Sequence, residues 1–396
     1  MIRTPLVWAC LSYIVGLMIG RMSPQPWYVF GALAVLFLTT VARHARGRWY
    51  EVAVLVTWLF VGAARINLQI DWESFFAPLR RAAEGYNESL IGQLRQEGLK
   101  GEALGLVSSI VLGNKVWLDS ATRSAFRMVG GSHLLALSGM HLGILYGLMY
   151  AIIVRWVRYT SWRWFSYPPL LLLIWGYAWL TGFSPSLVRA SMMLTVIMGF
   201  TLSSRFYALV SDPSRISARL HILALSALLM LWIDPMNLYD IGFQLSYIAV
   251  LSLVVFDTSR NQSPSRKWGR VVNWGVDVVL VSFVAQLGTL PLSAYYFHVV
   301  PLTGILINIL LIPLTMLIIY VSLPLLIFPC ALGVSVLSKV VGFTCKLVTW
   351  WSTLPGITVD SIYPPAWGVV LFYLFLLLVA IRRGSEPVSI RREVGQ

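Results

Sequence analysis

Apolar runs close to the length that crosses a bilayer recur along almost the whole chain. They cover residues 6–20, 27–42, 52–64, 133–154, 168–180, 187–202, 220–233, 241–256, 276–297, 302–320, 331–350 and 367–381. A helix closes its backbone hydrogen bonds within itself, so each run predicts a transmembrane helix. The first run follows a single Arg3, and Arg21-Met22-Ser23-Pro24 makes a poor signal-cleavage site, so this run is read as a first span. The pattern predicts an all-α fold: a polytopic integral membrane helical bundle of about 12 transmembrane helices, some of them broken.

Residues 65–132 interrupt the series. Phe76, Leu79, Ala83, Tyr86, Leu90 and Leu94 recur at helical spacing. That stripe suits an amphipathic helix lying on the membrane surface, and equally one packed on the protein itself. A second helix, over 102–112, is stopped by Gly113-Asn114, and a third, over about 120–128, ends at Gly130-Gly131, after which Ser132 can cap the next span. The chain then divides into a three-span segment (1–66), an extracytoplasmic segment of short helices (67–132), the main transmembrane domain (133–381) and a basic tail (382–396).

Composition agrees with lipid as the solvent. The chain is 58% hydrophobic and 12% charged, against about 25% charged in ordinary soluble domains. Its 17 Trp and 17 Tyr suit the interface between lipid and water. The net charge of +14 is concentrated in loops. Arg43, Arg46 and Arg48 form one group, Arg155, Arg158 and Arg163 another, then Arg205, Arg215 and Arg219, then Arg260, Arg266, Lys267 and Arg270, and finally Arg382, Arg383, Arg391 and Arg392. Twelve crossings put all five groups on one face, which the positive-inside rule makes cytoplasmic. Both termini are therefore expected in the cytoplasm, with the chain multi-pass in the inner (plasma) membrane. Cys10, Cys330 and Cys345 stand far apart in apolar runs and read as buried packing residues.

Four segments carry polar residues that are unusual for a membrane. The first holds His133, Ser138 and His141, with Gly139, Gly143 and Gly147 forming a smooth stripe for close helix packing. On one continuous helix the two histidines stand roughly 80° apart around the axis. The second runs from Thr181 to Ser191, where Pro185 suits a first helical turn and Arg189 lies inside the outer end of a span. The third holds Asp234, Pro235, Asp240, Gln244 and Ser246, the two aspartates being natural counter-charges for Arg189 or simple helix caps. The fourth holds Gln286, Pro291, Asn308 and Pro313, where the prolines are expected to break or kink their helices, and broken helices at membrane depth typically surround a cavity. Pro185 and Pro235 are expected to mark helix breaks too. In the twelve-span arrangement these polar groups lie in the outer half of the membrane and suggest a funnel opening outward.

Other chemistry is weakly supported. No GxxxxGK[ST] phosphate loop is present, and His44, His133, His141, His221 and His298 have no metal-nuclease spacing, so neither an ATPase nor a cofactor is expected. Ser138 and His141, three apart, leave an intramembrane Ser/His enzyme conceivable, with no acid nearby in sequence.

Several ordered motifs carry a family resemblance. His133-Leu-Leu-Ala-Leu-Ser-Gly-Met-His141 resembles the "HLLAISGLH" signature of the ComEC-type competence proteins. Pro185-Ser-Leu-Val-Arg-Ala-Ser-Met-Met193 resembles their "PSVxRAxxM" element, and Asp234-Pro235 with Gly242-Phe-Gln-Leu-Ser246 their "DP…GFQLSF" element. Gln286-Leu-Gly-Thr-Leu-Pro291 and Asn308…Ile312-Pro313 are similar to "QLxTLP" and "NLxxxP". The resemblance covers roughly residues 100–381. It implies a channel that passes one DNA strand across the inner membrane during natural transformation. It also implies partners: single-stranded DNA, a DNA receptor, a separate nuclease and a cytoplasmic DNA-pulling ATPase, with a homo-oligomer as a further option. Full-length members carry an OB-like domain and a metallo-β-lactamase-like nuclease domain, and neither pattern is found here; Asn114 also stands where many relatives have Asp. On this reading Arg123, Arg127 and Arg189 would meet phosphate, and Trp179, Phe183, Tyr247, Tyr295 and Tyr296 could stack bases or anchor at the interface. An envelope transporter or scaffold that has lost DNA transport is the alternative.

Overall fold

A computed structural model describes residues 5–22, 48–66, 72–135, 137–157, 167–202, 216–256 and 270–385, with Leu68 and a few single positions between 29 and 36. The expected span at 27–42 lies largely outside the described residues. His44, the 259–266 loop and most of the orienting arginines (Arg43, Arg46, Arg158, Arg163, Arg205, Arg215, Arg391 and Arg392) lie outside them too.

The fold is helical. In chain order the helices are α1 (Pro5–Met22), α2 (Arg48–Arg65), α3 (Trp72–Gln96), α4 (Gly101–Leu112), α5 (Ser120–Met128), α6 (Ser132–Leu135), α7 (Gly139–Val157), α8 (Tyr167–Leu180), α9 (Pro185–Leu202), α10 (Ile216–Ile233), α11 (Ile241–Phe256), α12 (Arg270–Phe297), α13 (Gly304–Ile327), α14 (Ala331–Ser352) and α15 (Ala366–Ser385). A single 3-10 turn, Pro235–Tyr239, joins α10 to α11. Two three-residue strands, β1 (Val299–Pro301) and β2 (Thr358–Asp360), pair antiparallel with Val300 opposite Val359. Among the described residues, five helical stretches can cross a membrane by length and composition: Pro5–Met22, Ile216–Ile233, Gly275–Phe297, Gly304–Ile327 and Ala331–Ser352. Shorter apolar helices of 10–17 residues include Tyr167–Leu180 and Ile241–Phe256.

Helix ends follow local chemistry. α3, α5 and α8 each close with the paired backbone bonds of a Schellman motif. Leu99 N–H donates to Leu94 O and Gly98 to Arg95 O; Gly131 donates to Phe126 O and Gly130 to Arg127 O; Phe183 donates to Ala178 O and Gly182 to Trp179 O. Gly98, Gly130 and Gly182 supply the left-handed residue each motif needs, with φ of 103°, 79° and 66°. α4 ends at Gly113 (φ 74°), and Asp119 caps α5 by accepting from Ala121 and Thr122 N–H.

Three expectations are corrected. Pro291 lies inside the continuous helix α12 and Pro313 inside the continuous helix α13, so neither breaks its helix. The prolines are accommodated because the carbonyls they free can be met by neighbours within a membrane bundle. The breaks at Pro185, which opens α9, and at Pro235, which opens the 3-10 turn, do occur. The expected span over 133–154 is two helices, α6 and α7. Cys330 is exposed at the start of α14, whereas Cys10 and Cys345 are buried as expected.

The chain folds as two compact units. Unit 1 comprises residues 1–75, 192–257 and 371–396, and unit 2 residues 76–191 and 258–370. In unit 1, α1 and α2 approach to backbone contact. A Cβ on Gly16 would fall on Leu59 O, one on Gly20 against Ala63 O, and one on Gly62 on Tyr13 O. Lipid tails are as apolar as leucine side chains, so this close packing, not hydrophobicity, holds the pair together. Tyr13, fully buried, donates to Leu231 O (3.3 Å) and meets the rings of Trp58 and Trp232. Arg65 is 2% exposed, and its guanidinium donates to Trp232 O, Ile233 O and Leu68 O, each at 2.8 Å. It thereby supplies positive charge to the carbonyl end of α10.

In unit 2 the core wraps α4, whose residues from Leu104 to Leu112 are all buried, as expected of a helix that is apolar all round. Leu90, Ile91 and Leu94 of α3 join that core, as do Ile307, Leu311 and Ile318 of α13 and Leu337, Val341 and Val348 of α14. The amphipathic stripe of α3 is therefore split. Ala83, Leu90 and Leu94 pack on the protein, while Phe76, Leu79 and Tyr86 remain exposed.

Candidate functional site: a buried polar seam in unit 2

Three of the four polar segments singled out in the sequence come together in unit 2. A Cβ on Gly130 would touch Pro301 (3.0 Å) and Gly304 (3.2 Å), so the α5–α6 turn rests on the junction of β1 and α13. Gln286 of α12 reaches the same junction and donates to Pro301 O (2.9 Å). On the other side, a Cβ on Gly113 would meet Leu137 and Thr181 O, and one on Gly139 would meet Ala190 Cβ (3.4 Å). The His133–His141 segment therefore lies between the start of α13 and the turn that opens α9. Below that turn, α8 is tied to α3 and α4. Tyr177 donates to Val111 O (2.9 Å), the buried Asn87 donates to both Leu112 O (2.8 Å) and Leu180 O (3.0 Å), and Trp179 stacks on Tyr86.

His133 and His141 do not share a helix, so the expected 80° relation fails. His133 is exposed, and its Nδ1 lies 3.0 Å from Gly130 O. His141 is fully buried. Its Nδ1 accepts the Ser138 N–H (3.0 Å) and lies 2.8 Å from Ser138 Oγ. This is one half of a capping box, in which histidine fills the role usually taken by glutamate three residues into the helix, while the His141 N–H donates to the Ser138 carbonyl. Because Nδ1 accepts a backbone N–H, the proton of the neutral ring sits on Nε2. That nitrogen is buried with no hydrogen-bond partner among the described residues. The Ser138–His141 contact therefore starts α7, and among the described residues no carboxylate bonds the ring as nucleophilic catalysis would need.

Arg189 is 4% exposed, which places its guanidinium inside the protein and not among headgroups. Within unit 1, Asp234 accepts from Met236 N–H (2.9 Å) and Asp240 from Phe243 N–H (2.8 Å), so each has the capping role that the sequence left open. Beside them, Gln244 donates to Leu238 O and Ser246 to Gly242 O one turn back. Gly143 and Gly147 are exposed, and a Cβ on either would meet nothing within 4 Å among the described residues. Among the described residues, Gly16, Gly20 and Gly62 are the glycines set against a facing helix backbone in unit 1.

One feature of unit 2 goes beyond the sequence expectations. α13, the most apolar of the five long candidate spans, carries Asn308, Thr315 and Ser322 at intervals of seven residues, and all three are buried. Two turns cover about 7.2 residues, so these side chains form one nearly straight seam along the helix. Asn308 Oδ1 and Ser322 Oγ have no hydrogen-bond partner among the described residues. One polar residue every seven in an otherwise apolar run is the sequence signal for such a seam, whereas the motifs mark only Asn308.

Comparison with known proteins supplies the context. A family model described as "Competence protein" matches residues 110–386. ComE operon protein 3 of Bacillus subtilis is 30% identical over 212 residues, covering 54% of this chain and 25% of that protein. Recombination protein 2 of Haemophilus influenzae is 27% identical over 290 residues, covering 71% of this chain and 34% of that protein. The match thus spans a quarter to a third of the length of these relatives. No solved structure matches the chain. With the family match covering well over half its length, the chain belongs to the competence protein family.

Proposed function

We propose that this chain forms a membrane passage for one strand of DNA during natural transformation, with the wall of the passage built on α13. The family description points to competence and the name of one relative to recombination, and the seam of Asn308, Thr315 and Ser322 is the observation that carries the reading. A polar atom left without a partner in a dry apolar seam costs roughly 1–3 kcal/mol. Such groups within membrane helices mark hydrated paths. DNA carries about one phosphate charge per 3.4 Å per strand and cannot cross hydrocarbon unhydrated. The buried Arg189 and the orphan Nε2–H of His141 add donors of the sign a phosphate backbone needs. A separate cytoplasmic ATPase would pull the strand, and a separate nuclease would remove its complement.

The test exchanges polar for apolar side chains along the seam. In a clean deletion strain, labelled DNA binds the cell surface but does not reach the cytoplasm, and the wild-type gene restores entry. Asn308→Leu and Ser322→Val restore entry poorly although the purified variants are at least as heat-stable as wild type, since an orphan polar atom has been removed. The exposed Arg81→Ala restores entry fully. Full entry with both seam variants, or normal entry in the deletion strain, removes the reading.

A further inference from the structure

We infer that the turn between α4 and α5 is a docking point for single-stranded nucleic acid, with Trp117 as the base-stacking residue and Arg123 and Arg127 as phosphate contacts; this rests on the DNA reading above. The turn is rigid. Asn114 Oδ1 accepts the Val116 N–H (3.0 Å), Leu118 is buried, and a Cβ on Gly105 would fall on the Trp117 carbonyl, so α4 supports the turn directly. Asp119 is occupied in capping α5. On this frame Trp117 stands 45% exposed, and the Arg95 guanidinium lies over its ring at 5.6 Å. Arg123 Nη2 donates to Lys115 O (3.0 Å), which brings α5 beside the same turn. Arg127 follows four residues later on the same exposed face. The rise of about 1.5 Å per residue sets the two arginines roughly 6 Å apart along α5, a spacing that neighbouring phosphates of an extended strand can match.

The chemistry favours a single strand over a lipid surface. Lys115, Trp117 and Arg123 sit among Asn114, Asp119 and Ser120, and the exposed Val116 and Trp117 are two residues of a turn, not the continuous apolar face of an interfacial helix. Arg95 lies over the ring, Arg123 is bonded to the carbonyl of Lys115 two residues before Trp117, and Arg127 stands one turn further along α5, so the turn is basic. An indole face accepts any unstacked base, while the bases of a duplex are already stacked. In the expected topology this turn lies outside the membrane, on the side from which DNA arrives.

The full chain is purified in detergent micelles, and binding of a fluorescein-labelled oligothymidylate is followed by anisotropy over a salt series. Trp117→Ala weakens binding about five- to hundredfold, leaves the salt slope unchanged, and does not alter binding of a duplex of the same length. Trp117→Phe keeps most of the affinity. Arg123→Gln with Arg127→Gln lowers the log–log salt slope by roughly 0.7 for each phosphate that is no longer neutralised. If wild type binds and all three variants match it in affinity and slope, the docking point is wrong and the DNA reading stands. If wild type binds no single strand at any salt, both fall together.

Discussion

His141 holds its place by local geometry, and that geometry makes its role testable. The ring accepts the Ser138 N–H through Nδ1 and leaves Nε2–H facing the protein interior. Glutamine at this position can still reach back to the same N–H, whereas leucine cannot. His141→Gln should melt within about 0.5 kcal/mol of wild type and His141→Leu about 1 kcal/mol below it, measured by thermal unfolding in micelles. Ser138→Ala removes only the hydroxyl and leaves the backbone donor, so DNA entry should persist. Loss of entry in Ser138→Ala at unchanged stability would instead put the hydroxyl in the chemistry. Arg65 shows the opposite use of a buried polar group. Its three bonds to carbonyls satisfy the charge within unit 1, so it reads as a structural clamp and not as part of a pathway.

At the scale of helices, small residues matter where a neighbour's backbone is against them. A Cβ at Gly16 or Gly62 would collide with a carbonyl of the facing helix, and the two backbones would have to separate. Gly62→Val should therefore destabilise the protein by on the order of 2–3 kcal/mol, while Gly143→Val, which meets open space, should change it by less than about 0.5 kcal/mol; thermal melts of the two variants make the comparison. The contrast also marks what sequence can carry. Hydropathy locates α8, α9, α11 and α14 to within a few residues, because the period and length of an apolar run are properties of the run itself. Gly113 and Gly130 are legible as helix stops because a left-handed residue is a local need. Glycine spacing alone points to Gly139, which does face Ala190, and to Gly143 and Gly147, which face nothing within 4 Å among the described residues, and it misses Gly16 and Gly20, since a close approach needs a facing backbone that the stripe does not name. The sequence leaves the capping roles of Asp234 and Asp240 open. The α13 seam shows in sequence only as a seven-residue spacing of Asn308, Thr315 and Ser322, and because Thr and Ser are ordinary in apolar helices it is burial that gives the spacing weight. Arg65, Asn87 and Tyr177 are unreadable for the same reason as the glycines: their acceptors are carbonyls at the ends of helices remote in sequence.

For the molecule as a whole, the orientation read from basic loops can be checked with the protein's own thiols. Cys10 and Cys345 are buried, whereas Cys330 is exposed in the turn between α13 and α14. If crossings alternate as the twelve-span arrangement requires, the end of α12 and the β1–β2 ribbon lie outside. The turn carrying Cys330 is then cytoplasmic, on the same face as both termini. A membrane-impermeant maleimide should label wild-type protein in inside-out vesicles and leave it unlabelled in intact spheroplasts. Cys330→Ser should abolish labelling of the inside-out vesicles, and the two buried thiols should react only after denaturation. Labelling of Cys330 in intact spheroplasts would invert the arrangement. The α4–α5 turn would then face the cytoplasm, where an incoming strand could reach Trp117 only after crossing the membrane.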